Sequence, residues 1–212
     1  MSGARLPGDA DTSMSEPRIG RVLVASLHQA IAEILPMRLE FYENWLNVSG
    51  LREGTIGLAP LSAVLSFLRS EGAAYSTITA RAGEYAADWT VGGLPVLERR
   101  VIRALPAPLR VRVALRTGRT LVRSTYPGSR AIIRLRRGTA TIDLRGSLFC
   151  EVRETTVLPL CGFYASAFAR VLQHFALSAD ARVHECRASG GRQGCHLSVA
   201  LRGGRADEQA AA

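Results

Sequence analysis

The sequence contains no lysine, no long apolar run and no secretory signal. All 27 of its basic residues are arginine, which against 18 acidic residues gives a formal net charge of +9. No apolar stretch approaches the roughly 18 to 20 residues that a membrane-spanning helix needs. Residues 1–17 are polar and lack the apolar core of an export signal. These absences predict a cytoplasmic protein.

The common signatures of nucleotide-dependent and hydrolytic enzymes are missing as well. There is no Walker loop, no GxSxG elbow, no HExxH helix and no dinucleotide fingerprint after a strand. The sequence therefore predicts no catalytic residues and no nucleotide cofactor.

The bulk composition is that of an ordinary globular protein. Of its 212 residues, 47% are hydrophobic and 21% are charged. This length fits a single domain with a core of its own. We expect a disordered leader over residues 1–17, one folded domain over 18–202 and a disordered tail over 203–212.

The N-terminal half has the periodicity of helices. In its first segment Leu23, Leu27 and Ile31 recur every four residues, and Pro36 ends the pattern. Proline and glycine residues separate the later segments. The predicted helices cover residues 19–35, 37–48, 59–68, 73–89, 97–105 and 109–122.

The C-terminal half changes character after Tyr126. Residues 131–135 form a short apolar run, and apolar residues alternate with polar ones over 139–152, which predicts a hairpin that turns at Arg137. An amphipathic helix is predicted over 161–177, and two more strands over 182–186 and 195–201. This order predicts an α+β fold in which a helical N-terminal half packs on an antiparallel sheet.

Three of the four cysteines are expected to lie close together. Cys186 and Cys195 flank the loop of the second hairpin, and Cys161 begins the helix on the face that packs against the sheet. Three thiolates can provide most of a tetrahedral zinc site. The alternative is that the thiols are small buried hydrophobic groups.

The fourth ligand of such a site is less defined. The two-residue period of a strand favours His184, which shares the strand face of Cys186. Glu185 points the other way unless the strand bulges. Cys150 has no partner in this geometry and is assigned to the core.

Arginine is concentrated in one stretch of the chain. Thirteen of the 27 basic residues lie between Arg99 and Arg145, where the only acidic residue is Asp143. Such a stretch could contact an acidic ligand, an anionic membrane surface or an acidic protein. It could equally be a solvated face whose acidic partners lie elsewhere in the fold. Nucleic-acid binding is not expected, because aromatic residues are not interleaved with the arginines.

Two segments carry a family likeness. LCGFYASAFARVLQHF, followed by RVHECRASGGRQGC and a closing HLSV strand, resembles the four-vinyl-reductase domain, a relative of the vesicle-tethering TRAPP subunits. The preceding DLRGSLFCEV extends the resemblance to about residues 130–201. The resemblance implies helices over a twisted antiparallel sheet, often in a homodimer. It also implies an apolar cavity that binds a hydrophobic or aromatic molecule.

The resemblance has a consequence for the metal. In the phenol-sensing members of the family, zinc is held by the cysteines that match Cys161, Cys186 and Cys195, and by a glutamate. The position of that glutamate is Val183 here. This departure leaves Glu185 or His184 as a replacement, or no metal at all.

The four-vinyl-reductase family takes its name from proteins that are linked to bacteriochlorophyll synthesis, and so to photosynthesis. The expected function is that of a carrier, sensor or assembly factor for a hydrophobic or aromatic ligand, with a tetrapyrrole intermediate as one candidate. The alternatives are a 4-vinyl reductase or its accessory subunit, and a TRAPP-like scaffold. Hydride delivery requires a cofactor, for which no motif is present.

The aromatic residues expected to line the pocket are Trp45, Phe67, Trp89, Phe149, Tyr164 and Phe168. The arginines considered for ligand carboxylates are Arg99, Arg103, Arg134 and Arg136.

Overall fold

The computed structural model describes residues 19–46, 57–152, 155–190 and 194–202. Within these residues the helices are α1 (Arg21–Ile34), α2 (Leu39–Leu46), α3 (Leu58–Ser70), α4 (Ala73–Gly92), α5 (Val96–Ala104), α6 (Ala107–Thr125) and α7 (Gly162–His174). The strands are β1 (Arg130–Arg136), β2 (Thr139–Arg145), β3 (Ser178–Glu185) and β4 (Cys195–Arg202). The predicted leader (1–17) and tail (203–212) lie outside the described residues.

The four strands form one antiparallel sheet in the order β1-β2-β4-β3. In the centre of the sheet Ile142 of β2 pairs with Leu197 of β4, and both side chains are buried. Along β2 the buried residues alternate with more exposed ones. One face of the sheet is therefore apolar and requires a covering layer.

Helices supply that layer. α7 packs on the sheet on one side and on α4 on the other, while α6 contacts both α7 and β1. A Cβ atom at Gly83 of α4 would overlap the carbonyl oxygen of Phe163 in α7, so a residue without a side chain lets the two helices approach closely. The predicted α+β fold is confirmed: a helical N-terminal half packs on an antiparallel sheet in a single domain.

The structure corrects three predicted boundaries. Strand β2 ends at Arg145 rather than at residue 152, because Gly146 has a φ of +66° and turns the chain into a short 3-10 helix, Leu148–Cys150. Helix α7 ends at His174 rather than at 177, because Ala176 has a φ of +55°. Strand β3 begins at Ser178, four residues before the predicted start, and lacks the regular alternation that would reveal it.

Among the described residues, no single helix combines the length and the apolar character needed to cross a membrane. Arg21–Ile34 and Pro36–Leu46 meet that requirement only as a pair, and the two are bent by 118° at the break between them.

Candidate functional site

The sulfur atoms of all four cysteines converge at one end of the sheet. Cys150 ends the 3-10 turn after β2, and Cys161 directly precedes α7. Cys186 follows β3 and Cys195 begins β4. All four side chains are buried, and their Sγ atoms lie within 4.8 Å of one another.

The distances suit a tetrahedral thiolate site. The Sγ of Cys150 lies 3.1 Å from that of Cys161 and 3.4 Å from those of Cys186 and Cys195. The Sγ of Cys186 lies 3.2 Å from that of Cys161 and 3.9 Å from that of Cys195. A zinc–sulfur bond of about 2.3 Å places tetrahedral sulfurs ~3.8 Å apart, so an ion would require the cluster to expand by about half an ångström.

Backbone groups add donors around the sulfurs. The N–H of Leu160 lies 3.3 Å from the Sγ of Cys186, and the N–H of Arg187 lies 3.4 Å from the Sγ of Cys195. The hydroxyl of Tyr75 donates to the carbonyl oxygen of Leu160 at 3.2 Å, which orients that peptide. Such second-shell donors partly offset the negative charge of thiolates.

The pKa values within the cluster diverge. Hydrogen bonds from Cys150, Cys161 and Cys195 lower the pKa of Cys186, because its sulfur accepts from all three. The hydrogen bond to Cys150 raises the pKa of Cys161, which retains its proton more tightly. If all four thiols lost their protons, thiolates this close would require a cation, and the soft, all-sulfur donor set would fit zinc or another thiophilic metal.

Cys150 is buried in the core as expected, but the expectation that it has no partner among the other cysteines is wrong. The prediction extended β2 to residue 152 as a regular strand, whereas the turn at Gly146 brings Cys150 to the other three cysteines. The Gly146-Ser147 pair, which interrupts the alternation just before Leu148, was the available signal in the sequence.

Neither residue predicted as the fourth ligand joins the cluster. A bulge between Val183 and Glu185 breaks the two-residue period on which the choice of His184 relied. The Nε2 atom of His184 lies 2.5 Å from the Oγ of Ser198, and the imidazole is exposed. Glu185 is also exposed, and its carboxylate lies 3.9 Å from Nε2 of His196.

Three of the six predicted pocket aromatics are buried. Phe149, Tyr164 and Phe168 have at most 1% of their surface exposed. The ring of Phe149 packs against Tyr164 at 5.6 Å between centroids and stacks on Phe163 at 4.9 Å. These three residues therefore lie in the core, between the sheet and the helices.

The other three aromatics are about two-fifths exposed and lie elsewhere. The rings of Trp45 and Phe67 are 5.4 Å apart, on α2 and α3. Trp89 stacks on Tyr85 of the same helix at 5.8 Å. The six residues thus occupy three separate places, and whether any of them contacts a ligand stays a prediction.

A groove lies between the start of α6 and the end of the sheet that is remote from the cysteines. It encloses about 420 Å³, and most of its lining is apolar. The lining residues are Ala107, Pro108, Arg110, Val111, Leu135, Gly138, Ala176, Leu177, Ser178, Leu201 and Arg202. None of the six predicted aromatics is among them.

None of the arginines singled out in the sequence lines this groove. Arg134 and Arg136 are exposed on β1, and Arg99 is half-buried on α5. The Nε of Arg103 donates to the carbonyl oxygen of His174 at 2.9 Å. The two arginines that do line the groove, Arg110 and Arg202, are indistinguishable in the sequence from the many others.

No protein-family model matches this chain, and no curated protein matches it in sequence. Solved structures do resemble it. The Fe(II) unliganded H-NOX protein from K. algicida has a TM-score of 0.53 at 11% identity, over 87% of this chain and 97% of that one. The phenol-responsive sensory domain of the transcription activator PoxR has a TM-score of 0.47 at 12% identity, over 73% and 81%. Trafficking protein particle complex subunit 3 from Naegleria fowleri has a TM-score of 0.46 at 12% identity, over 84% and 96%. At such identities the likeness shows the fold alone.

Proposed function

We propose that this chain is a small-molecule-binding protein, which acts as a carrier, sensor or assembly factor for a hydrophobic or aromatic ligand. We also propose that a zinc ion bound by the four cysteines stabilises its C-terminal half, and we call this site the zinc clamp. The observation that carries the binding function is the groove between α6 and the sheet. Val111, Leu135, Leu177 and Leu201 give it an apolar lining. Its volume of about 420 Å³ falls within the range of roughly 300 to 1,000 Å³ that is typical of ligand pockets.

The zinc clamp rests on the four converging cysteines. Each comes from a different place along the chain: the turn after β2, the start of α7, the end of β3 and the start of β4. Binding all four would fix the helix to both halves of the sheet, and such binding energy contributes directly to folding. Four buried thiols that lie in one cluster fit a metal site better than they fit the alternative of small hydrophobic groups at separate places in the core.

A tetrapyrrole intermediate of bacteriochlorophyll synthesis is the finer candidate for the ligand. It is supported by the resemblance of residues 130–201 to the four-vinyl-reductase family and by the arginines near the groove, which suit carboxylates. A 4-vinyl reductase is a weaker candidate, because the sequence contains no motif for a hydride-donating cofactor. A TRAPP-like scaffold would need no ligand in the groove, and its binding to an acidic surface would weaken with salt.

Metal analysis with native mass spectrometry tests the zinc. The protein should be purified under reducing conditions and should carry about one zinc ion per chain. The same spectra report the oligomeric state, for which the resemblance implies a homodimer. Stoichiometric iron in place of zinc would overturn the choice of metal, and a metal-free protein that does not take up added zinc would overturn the clamp.

A fluorescence titration with phenylnaphthylamine, a neutral apolar probe, tests the groove. Ser178→Trp places a large ring at an exposed lining position on β3 and should abolish binding of the probe. Thr120→Trp introduces the same ring on the exposed surface of α6, outside the groove, and should leave binding unchanged. Equal binding by both variants would place the probe elsewhere and remove the support for the groove.

A further inference from the structure

The groove between α6 and the sheet has an uneven distribution of charge. Its eleven lining residues include two arginines, Arg110 and Arg202, and no carboxylate. Within the described part of the chain neither arginine forms an ion pair. An apolar cavity lined by two arginines that pair with no described carboxylate favours a ligand that bears a negative charge.

One N–H group of Arg110 has no hydrogen-bond acceptor among the described residues. Its Nη1 donates to the carbonyl oxygen of Arg103 at 3.1 Å, while its Nε is buried and has no hydrogen-bond partner among the described residues. An unsatisfied buried donor is unfavourable, and more so when the group is charged. Arg110 itself lines the groove, where its positive charge would attract an acidic group on a bound molecule.

The guanidinium of Arg110 is held in place by a chain of contacts. The carbonyl oxygen of Arg103 accepts from Arg110. The Nε of Arg103 in turn donates to the carbonyl oxygen of His174, at the end of α7. This chain connects α5, α6 and α7 and limits the positions that the Arg110 side chain can adopt. A preset donor loses less conformational entropy when it binds a ligand.

The start of α6 adds positive potential on the same side. The helix begins at Ala107, has no side-chain cap and carries no acidic residue in its first turn. Ala107 and Pro108 of this turn both line the groove. The partial positive charge of a helix N-terminus favours an anion there.

A second cavity that also contacts Leu135 is lined by three further arginines. It encloses about 340 Å³ and is lined by Leu135 itself together with Arg112, Leu115, Arg116, Arg119 and Ile133. None of its three arginines forms an ion pair with a described carboxylate. The two cavities share Leu135, so two neighbouring cavities are lined by arginines.

We propose that the α6 groove selects an apolar molecule that bears an acidic group, with the body on Val111, Leu177 and Leu201 and the acidic group on Arg110. This inference rests on the proposed function, since it names the class of ligand that the groove binds. A carboxylate or sulfonate oxygen that reaches the guanidinium of Arg110 would make a charge-assisted hydrogen bond.

Two fluorescent probes that differ by one acidic group test the proposal. Anilinonaphthalene sulfonate carries a sulfonate on the same ring system as neutral phenylnaphthylamine. The wild-type protein should bind the sulfonate about tenfold more tightly, as one charge-assisted hydrogen bond allows. Arg110→Gln should lower the ratio of the two affinities to about one. Arg123→Gln, an exposed position in the last turn of the same helix, is the matched control and should retain the preference.

The possible outcomes separate the two proposals. If neither probe binds, the proposed function itself is overturned. If the wild-type protein binds both probes equally, the acidic-ligand inference is overturned while hydrophobic binding stands, and this comparison needs no variant. An Arg110→Gln protein that binds the neutral probe normally and still prefers the sulfonate would also overturn the role of Arg110.

Discussion

The Sγ atom of Cys150 lies 3.1 Å from the Sγ atom of Cys161, although one residue ends a turn after β2 and the other begins α7. These two residues provide one side of the thiol cluster, and Cys186 and Cys195 of the second hairpin provide the other. The cluster therefore includes a thiol from the turn after the first hairpin. If the site binds zinc through four cysteines, the loss of Cys150 should weaken that binding measurably.

Replacement of Cys150 by serine should weaken zinc binding by about a hundredfold or more, because it removes one of four thiolates from the site. Competition with a chromophoric chelator measures this change. His184→Ala and Glu185→Ala are the matched controls, and both should retain zinc because both side chains are exposed and outside the cluster. A Cys150→Ser protein with unchanged affinity would exclude Cys150 as a ligand.

Zinc binding at neutral pH should release several protons. The pKa of Cys161 is raised by its hydrogen bond to Cys150, so this thiol is protonated before the metal binds, whereas the pKa of Cys186 is lowered by the neighbouring thiols. Metal affinity should therefore fall as the pH falls. Calorimetric titrations in buffers of different ionisation enthalpy measure the release, and a binding enthalpy independent of the buffer would contradict it.

The close contact of α4 with α7 should make Gly83→Ala strongly destabilising. The added Cβ would overlap the backbone oxygen of Phe163, which cannot move without displacing the helix. We expect a loss of about 3 kcal/mol in the free energy of unfolding, despite the better helix propensity of alanine. Gly92→Ala is the control, because a Cβ there meets nothing within 4 Å. Urea denaturation of both variants measures the difference.

Asp88 links α4 to the end of α7, and its charge should stabilise the fold at all but strongly acidic pH. Its carboxylate lies 2.6 Å from both Nε of Arg170 and Nε2 of His174. Burial alone would raise the pKa of Asp88, but the hydrogen bonds from Arg170 and His174 outweigh it, and the pKa is lowered. Because the folded-state pKa lies below the unfolded value of about 3.9, the stabilisation is complete above that value and is lost as the pH falls through the folded pKa.

Asp88→Asn should therefore lower the free energy of unfolding by about 1 kcal/mol at pH 7, a modest effect because both partners are partly exposed. The difference from the wild-type protein should shrink as the pH falls below about 4. Thermal melts over a pH series measure it. A difference that stays constant down to the acid limit would mean that the carboxylate charge is not responsible.

Most of the fold follows from local patterns in the sequence. The helices of the N-terminal half were predictable because apolar periodicity and proline positions are local properties, as Leu23, Leu27 and Pro36 illustrate. The approach of Cys161 to the second hairpin was predictable because a helix that covers a sheet directs its apolar face towards it.

The parts that were missed depend on tertiary contacts. A Cβ at Gly146 would overlap the carbonyl oxygen of Gly128, so the turn that redirects Cys150 is coupled to a loop 18 residues earlier in the chain, between α6 and β1. The bulge beside His184 depends on pairing with β4. The groove combines the start of α6 with the ends of three strands, and no periodicity within a single segment reveals such a combination.

The spread of the cysteines along the chain has a consequence for the order of assembly. Cys195 lies 45 residues after Cys150, and β4 sits between β2 and β3 in the sheet. During synthesis, the fourth thiol reaches the cluster only after the last strand has been inserted between two strands made earlier. The complete thiol set thus forms late in folding. A metal bound by all four residues would therefore stabilise the sheet only after its four strands have paired.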